Sequence, residues 1–203
     1  MAEKRPGICL AITGASGAPY ATRLLECLLQ AGERVALLLS EAGQVVLGME
    51  TDIQPAARPA EMARRLQARF GVDAARLQVY GVREWTAPVA SGTGAPRAMV
   101  VCPCTMGTLS AIASGASRNL IERAADVMIK EGRTLVLVPR ETPFSAIHLE
   151  NMLKLARLGV VVLPANPGFY HGPQSIGDLV DFIVARILDQ LGLDQSLVPP
   201  WGA

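Results

Sequence analysis

The 203-residue sequence predicts an α/β protein in which helices cover both faces of a doubly wound parallel sheet. This is a three-layer arrangement of the Rossmann-like or flavodoxin-like type. Short apolar segments alternate with longer amphipathic ones along the chain, as in repeated βαβ units. Half of the residues are hydrophobic, but only 4% are aromatic. An apolar content made mostly of Ala, Val, Leu and Ile is typical of parallel strands that are buried on both faces.

In the first half of the chain, apolar runs and the residues that end them predict the elements. Gly32 and Gly71 each follow an amphipathic segment, at a position where glycine commonly ends a helix. Ser40 precedes another such segment and is expected to cap it. The predicted elements are strand 8–12, helix 20–30, strand 34–39, helix 41–49, helix 59–70 and strand 77–80.

The second half continues this alternation, and right-handed crossovers are expected between its parallel strands. The predicted elements are strand 98–102, helix 105–114, helix 119–130, strand 134–138, helix 147–158, strand 160–163 and helix 176–191. Pro199 and Pro200 cannot continue the last helix, so residues from about 193 to 203 are expected to extend from the body. Because no linker or repeat interrupts the pattern, we predict a single domain over residues 1–203.

Charge and composition exclude several classes of protein. The net charge of +1 gives no broad basic footprint for nucleic acid. No apolar run reaches the roughly 18 residues that span a membrane, and the N-terminus lacks the apolar core of a signal peptide. Four cysteines without zinc-site spacing and two scattered histidines give no metal site. We therefore expect a soluble cytoplasmic protein with buried, reduced thiols.

The first strand enters its helix through the turn Thr13-Gly14-Ala15-Ser16-Gly17. Glycine lets the backbone approach a phosphate, and a helix N-terminus offers free N–H groups with a partial positive charge. The Ser16 hydroxyl adds a further donor. The turn is neither a full GxGxxG motif nor a P-loop. It predicts either a phosphate site or a tight turn with a capping serine.

Two later strand ends carry comparable features. Thr105 follows the strand at 98–102 and either caps the next helix or belongs to a segment whose amides meet a ligand's polar ring or ribityl atoms. Arg140 and Glu141 follow a buried strand, where an unpaired charge is costly. They form either a salt bridge at the rim or a ligand site, because arginine presents a bidentate fork to phosphate. Ligands collect at the carboxyl ends of such strands, so we expect one shared pocket.

Five segments, taken in order, resemble one known family over nearly the whole chain. They are ITGASGA at 12–18, CPCTMGTL at 102–109, RAADV at 123–127, PRETP at 139–143 and PANPGFY at 164–170. Together they look like the UbiX/Pad1 flavin prenyltransferases, a branch of the flavoprotein superfamily of homo-oligomeric flavin-containing cysteine decarboxylases. Gly107 stands where the family usually has a lysine.

The resemblance implies that reduced FMN binds as a substrate and receives a dimethylallyl group from dimethylallyl monophosphate, at N5 and then at C6. The product, prenylated FMN, would serve a UbiD-type decarboxylase in ubiquinone synthesis or aromatic acid decarboxylation. The implied enzyme is a metal-independent transferase. Its implied assembly is a homododecamer with active sites between subunits.

The resemblance also implies roles for individual residues. The residues that would hold FMN are Gly14, Ala15, Ser16, Ser40, Thr105, Met106, Gly107, Thr108 and Arg140. Those that would hold the prenyl donor are Tyr170, Arg186, Arg123, Lys130, Glu141, Trp85 and Trp201, with Trp201 from a neighbouring subunit. The implied catalytic residues are Glu50, Ser16, Lys130 and Glu141, and Glu50 is the candidate for moving a proton at N5.

Two other functions fit part of the sequence. A flavin-dependent cysteine decarboxylase of the same superfamily needs a histidine early in the chain, whereas His148 and His171 lie late. A non-catalytic flavin-binding protein would use the loop after the first strand. It would leave the charges at Lys130, Arg140 and Arg186 without a purpose. The prenyltransferase is therefore the favoured hypothesis.

Overall fold

The computed structural model describes residues 7–200 and 202. Within them, six parallel strands form one sheet in the order β3-β2-β1-β4-β5-β6. The strands are β1 (Ile8–Ile12), β2 (Val35–Leu39), β3 (Leu77–Tyr80), β4 (Ala98–Cys104), β5 (Thr134–Pro139) and β6 (Val161–Val162). The chain winds outward from β1 on one side and from β4 on the other, which confirms the predicted doubly wound sheet.

Seven helices accompany the sheet in the described residues. They are α1 (Ala18–Gln30), α2 (Glu41–Glu50), α3 (Pro59–Phe70), α4 (Met106–Ala113), α5 (Leu120–Lys130), α6 (Ala146–Arg157) and α7 (Ile176–Gln190), and a 3-10 turn spans Pro88–Ala90. Helices α1, α3 and α7 pack on one face of the sheet, and α4, α5 and α6 pack on the other. No described helix is long and apolar enough to cross a membrane.

Each strand contributes to two cores because successive side chains point to opposite faces of a sheet. In β1, Leu10 lies in the core under α1 and α7, whereas Ala11 lies in the core under α4 and α5. All five residues of β1 are buried. This burial on both faces explains why the strand reads as a continuous apolar run rather than an alternating one.

Most element boundaries lie within one residue of the predicted ones, and the larger differences are at the start of α1 and the end of β4. Helix α1 begins at Ala18 rather than at residue 20, because Pro19 suits the first turn of a helix. Strand β4 continues past residue 102 to Cys104, which pairs with Pro139 after a register shift. Strand β6 is only two residues long. Of the predicted C-terminal extension, residues 193–200 form neither helix nor strand.

The four cysteines are buried free thiols, as predicted. Burial raises the pKa of Cys9 and of Cys104 to about 12. Both thiols therefore stay protonated at neutral pH, and a protonated, buried thiol is neither a nucleophile nor a metal ligand. The cysteines thus belong to the core and not to the chemistry of a site.

Candidate functional site

The two halves of the sheet meet between β1 and β4, where the strand order reverses, and ligands of open α/β sheets bind at such a point. Thr13 ties together the loops that follow these two strands. Its Oγ1 donates to the Pro103 carbonyl oxygen at 2.7 Å and accepts the Thr105 N–H at 2.9 Å. Thr13 is only 2% exposed, so water does not compete for this link. The link holds one loop against the other.

Three helices, α1, α2 and α4, begin at this carboxyl edge of the sheet. Ser40 caps α2 by accepting the Gly43 N–H at 2.9 Å. Thr105 caps α4 by accepting the Thr108 N–H at 3.1 Å. Each N-terminus carries a partial positive charge, so the edge as a whole favours an anion.

The loop after β1 approaches α2 so closely that side chains are excluded. A Cβ on Gly14 would lie 2.4 Å from the Ala42 Cβ, and a Cβ on Gly43 would lie 2.4 Å from the Ile12 carbonyl oxygen. Gly17 has a φ of 129°, which residues with a side chain rarely adopt. Gly14 therefore lets the loop pack directly on α2, and Gly17 lets it turn into α1.

Glu50, at the end of α2, caps helix α1. Its Oε2 accepts the N–H groups of Gly17 at 2.7 Å and of Ala18 at 2.8 Å. Burial alone would raise the pKa of Glu50. Hydrogen bonds from Ser16 and from these two N–H groups, with the nearby charge of Arg140, outweigh burial and lower that pKa below its ordinary value. Glu50 is therefore an ionised carboxylate held against the loop at neutral pH.

Arg140 reaches the same loop from the end of β5. Its Nε donates to the Ser16 carbonyl oxygen at 3.1 Å. Among the described residues it forms no salt bridge with Glu141, whose Oε1 instead accepts the Thr142 N–H at 3.3 Å. The structure therefore brings five of the predicted residues to one edge of the sheet: Ser16, Ser40, Glu50, Thr105 and Arg140.

A second group of predicted residues lies on α7 and in the loop that follows β6. Tyr170 and Arg186 line a cleft of about 220 Å³ together with Asp189 and the C-terminal tail. An Nη atom of Arg186 donates to Asp189 at 2.5 Å. Leu191, one residue past the helix, accepts a hydrogen bond from Arg97, which directly precedes β4. The end of α7 therefore lies at the amino edge of the sheet, away from the loop after β1.

A third group lies on α5, on the opposite face of the sheet from α7. Arg123 donates to the Ala90 carbonyl oxygen at 3.0 Å and to Asp126 at 2.8 Å. Lys130, the last residue of the helix, pairs with Glu131. This side of α5 therefore faces the 3-10 turn rather than the loop after β1.

The direction of α5 separates Lys130 from the carboxyl edge. The helix begins there, because Leu120 donates to the Val82 carbonyl oxygen just after β3. It ends at the opposite edge, where Arg133 donates to the Pro96 carbonyl oxygen just before β4 at 2.7 Å. Within one chain, the structure does not place Lys130 beside Arg140.

The remaining predicted residues differ in exposure. Trp85 is 49% exposed in the segment between β3 and β4. Met106 is buried in the first turn of α4, whereas a Cβ on the neighbouring Gly107 would meet only the Thr105 Oγ1, at 4.0 Å. A longer side chain would thus fit at Gly107, the position of the family lysine. Trp201 lies outside the described residues.

Sequence reasoning missed two features of this edge. Thr13 reads as the last residue of a buried strand, and only its place directly before a glycine-rich turn signals its linking role. Gly43 reads as an ordinary helix residue, although its contact with the Ile12 carbonyl sets how closely α2 packs on β1. Both features depend on contacts between segments distant in sequence.

Comparisons with known proteins agree with this architecture. A model of the Flavoprotein family matches residues 1–188. The chain is 60% identical to the flavin prenyltransferase UbiX of Pseudomonas aeruginosa over 96% of this chain and 93% of that protein. Two crystal structures are similar to the structure of this chain. AnUbiX (PadA1) in complex with FMN and dimethylallyl pyrophosphate has a TM-score of 0.87 at 40% identity, covering 98% of this chain and 99% of that one. A dodecameric FMN-dependent UbiX-like decarboxylase from Escherichia coli O157:H7 has a TM-score of 0.85 at 38% identity, covering 97% and 99%.

The architecture is that of a flavoprotein: a doubly wound sheet with a glycine-containing loop and helix N-termini where the strand order reverses. The Flavoprotein family model matches most of the chain. At 60% identity over nearly its whole length, the chain belongs to the flavin prenyltransferase family. The resemblance carried by the five sequence segments is thereby confirmed.

Proposed function

We propose that this chain is a flavin prenyltransferase that moves a dimethylallyl group from dimethylallyl monophosphate to reduced FMN. The observation that carries the proposal is the edge between β1 and β4. There the Gly14 loop, three helix N-termini and Arg140 lie together in a chain 60% identical to a flavin prenyltransferase. A non-catalytic flavin carrier would not need a second group of cations at Arg186.

The residues at this edge fit FMN. The phosphate of FMN would take the backbone N–H groups of Ala15 and Ser16 and the hydroxyls of Ser16 and Ser40, because such donors favour an anion and Glu50 already accepts the N–H groups of Gly17 and Ala18. The ribityl chain and ring would lie along the first turn of α4, residues 105–108. Arg140 would contact FMN from β5, since its Nε bond to Ser16 already holds it beside the loop.

Reduced FMN would be the electron-rich nucleophile: N5 would take the five-carbon group as the allylic carbon–oxygen bond breaks, phosphate leaves with its electrons and N5 loses its proton. The bond to C6 would then form as a proton adds to the remaining double bond and the hydrogen of C6 leaves as a proton. The protein orients the two reactants and excludes water. Glu50, which is ionised and held by two N–H groups, would take the proton that N5 releases. Trp85 offers an aromatic face that can screen positive charge on the allyl group.

The leaving phosphate requires cations, and those of one chain are spread over separate places. Arg186 lies on α7 and Tyr170 in the loop after β6, whereas Arg123 and Lys130 lie on α5 across the sheet. We therefore propose that the α5 cations and Glu141 complete a donor site together with α7 of another copy. A single chain would then hold only part of each site.

Exposed apolar side chains on α6 offer a surface for such assembly. Ile147, Leu149 and Leu153 are 66%, 54% and 51% exposed, and Leu155 is the one buried residue of that helix. Apolar residues grouped on one helix mark an interaction surface. We propose that it packs against further copies in a homo-oligomer, with the dodecamer described for the Escherichia coli relative as the expected size.

The product, prenylated FMN, would pass to a UbiD-type decarboxylase, which uses it as cofactor in ubiquinone synthesis or aromatic acid decarboxylation. The proposed location is the cytoplasm, where the four free thiols would stay reduced. We propose that residues 1–203 act as one domain without a metal ion.

Incubation with reduced FMN and dimethylallyl monophosphate under strict anaerobiosis tests this function. The mass of the extracted flavin should rise by C5H8, and equimolar phosphate should be released. A parallel reaction with dimethylallyl diphosphate shows which donor the protein prefers, and a reaction without protein gives the background. A flavin mass that stays that of FMN with both donors would contradict the proposal.

A further inference from the structure

Two aromatic rings that contact Tyr170, those of His171 and Phe182, have no role in the function proposed above. Tyr170 packs edge-on against Phe182, with ring centroids 5.7 Å apart and ring planes at 79°. His171 stacks on Phe182 at 5.2 Å and 15°, and it meets Tyr170 edge-on at 5.9 Å. Phe182 therefore contacts both rings of the loop that follows β6.

Phe182 also belongs to the helix that carries Arg186. The two residues are four apart, one turn of α7, so they lie on the same side of the helix. Both line the cleft that contains Tyr170. One side chain on a rigid helix thus connects the loop that bears Tyr170 to the helix that bears Arg186.

Gly168 allows the loop to lie against these rings. A Cβ at this position would be 2.9 Å from the Tyr170 Cε1, closer than real Cβ contacts, and 3.1 Å from the Phe182 Cζ, tighter than most of them. His171 contributes through its ring face, since its two nitrogens are buried and bond to none of the described residues. The loop is therefore docked on α7 by ring packing.

We propose that Phe182 is a positioning residue for the prenyl donor, which holds the Tyr170 ring in the cleft beside Arg186. The inference rests on the proposed function, in which Tyr170 and Arg186 bind the donor phosphate. An edge-to-face pair fixes the direction of a ring, which an aliphatic side chain of similar volume does not. Without Phe182 the loop would have to be ordered each time the donor binds, and donor affinity would fall.

The test is Phe182→Leu, assayed anaerobically in the full-length protein with saturating reduced FMN. KM for dimethylallyl monophosphate should rise roughly threefold to tenfold, the worth of one aromatic pair. The kcat and the affinity for FMN should stay close to the native values. Phe70→Leu is the matched control. Phe70 is a partly buried ring on α3, outside the cleft, so its loss should lower stability without changing KM.

A double-mutant cycle with Tyr170→Phe, which keeps the ring and removes the hydroxyl, separates positioning from general packing. Phe182→Leu should raise KM much less in the Tyr170→Phe background than in the native one. Equal effects in both backgrounds would overturn the inference. An unchanged KM for Phe182→Leu, together with a raised KM for Tyr170→Phe, would also overturn the inference. The proposed function would stand in that case. A Tyr170→Phe variant with native KM would instead contradict the donor role of Tyr170.

Gly168→Ala provides a second route should Phe182→Leu fail to fold. Its Cβ displaces Tyr170 and Phe182 from each other while keeping both rings. The same rise in KM at nearly constant kcat is expected. A native KM for Gly168→Ala would contradict the positioning of Tyr170 by ring packing.

Discussion

Replacing Glu50 by glutamine removes one negative charge from the start of α1 with almost no change in shape. In the native protein one carboxylate oxygen accepts two N–H groups at 2.7 and 2.8 Å. A glutamine oxygen can accept both, so the loop after β1 should keep its conformation. Affinity for FMN should therefore change by no more than about threefold, since the loop amides stay in place.

The cost in stability follows from these two bonds. A hydrogen bond to a charged group contributes about 1.5–3 kcal/mol, and a neutral one about 0.5–1.5 kcal/mol. Two such exchanges amount to roughly 2 kcal/mol. Because the neutral glutamine also escapes the cost of burying the charge, the net loss of unfolding free energy should be about 1 kcal/mol. Because the pKa of Glu50 is lowered in the folded protein, this stabilisation is present above the ordinary glutamate pKa and is lost as the pH falls through the lowered folded value. The difference in stability between the native protein and Glu50→Gln should therefore shrink below about pH 4.5.

The effect on catalysis should be larger than the effect on folding. Loss of a positioned general base typically slows a reaction about 100-fold or more. Single-turnover formation of the C5H8-bearing flavin, followed by mass at saturating FMN and donor, measures this step. Glu61→Gln, an exposed change on α3, is the control and should react at the native rate. Native turnover by Glu50→Gln would refute the proton-transfer role of this carboxylate.

Arg186→Ala should raise KM for the donor roughly tenfold to a hundredfold, the loss of one charged hydrogen bond, and leave the FMN Kd unchanged; weaker FMN binding would place Arg186 in the flavin half of the site. Gly14→Ala should weaken FMN binding about tenfold or more, because its Cβ would lie 2.4 Å from a side-chain carbon of α2. Gly177→Ala, whose Cβ finds ordinary space on α7, should bind FMN normally in the same titration. Leu153→Glu should yield smaller assemblies by light scattering, whereas the neighbouring Lys154→Glu should not; an intact assembly for both would show that α6 is not the interface.

Much of the fold follows from local sequence. The five buried residues of β1 are followed by Thr13 and a glycine, and Ser40 precedes α2 and caps it by accepting the Gly43 N–H. Both elements can therefore be predicted from the sequence. The extension of β4 to Cys104 cannot be predicted in this way. Pro103 donates no N–H and predicts the end of a strand, yet Cys104 pairs with β5 because the register shifts between 101 and 104.

Only part of the candidate site can be predicted from the sequence, and the reason is geometric. Groups directly after strands, such as Ser16 and Arg140, meet because the carboxyl ends of parallel strands share one edge. Lys130 and Arg186 lie late in their helices instead, and a helix that follows a strand runs back to the other edge. The sequence shows that these residues are charged. It does not show on which face of the sheet they lie or to which copy's site they contribute.

Mixed oligomers test most directly the central claim that each donor site combines residues of two copies. The Lys130→Ala and Arg186→Ala proteins are each expected to be impaired alone. Their oligomers would be dissociated, mixed in equal amounts and reassembled, and each variant treated in the same way by itself would be the control. If a site takes Lys130 from one chain and Arg186 from another, random assembly leaves both residues intact in about one quarter of the sites. Formation of the C5H8-bearing flavin should then recover to about one quarter of the native rate. No recovery above the two separate variants would contradict the shared site.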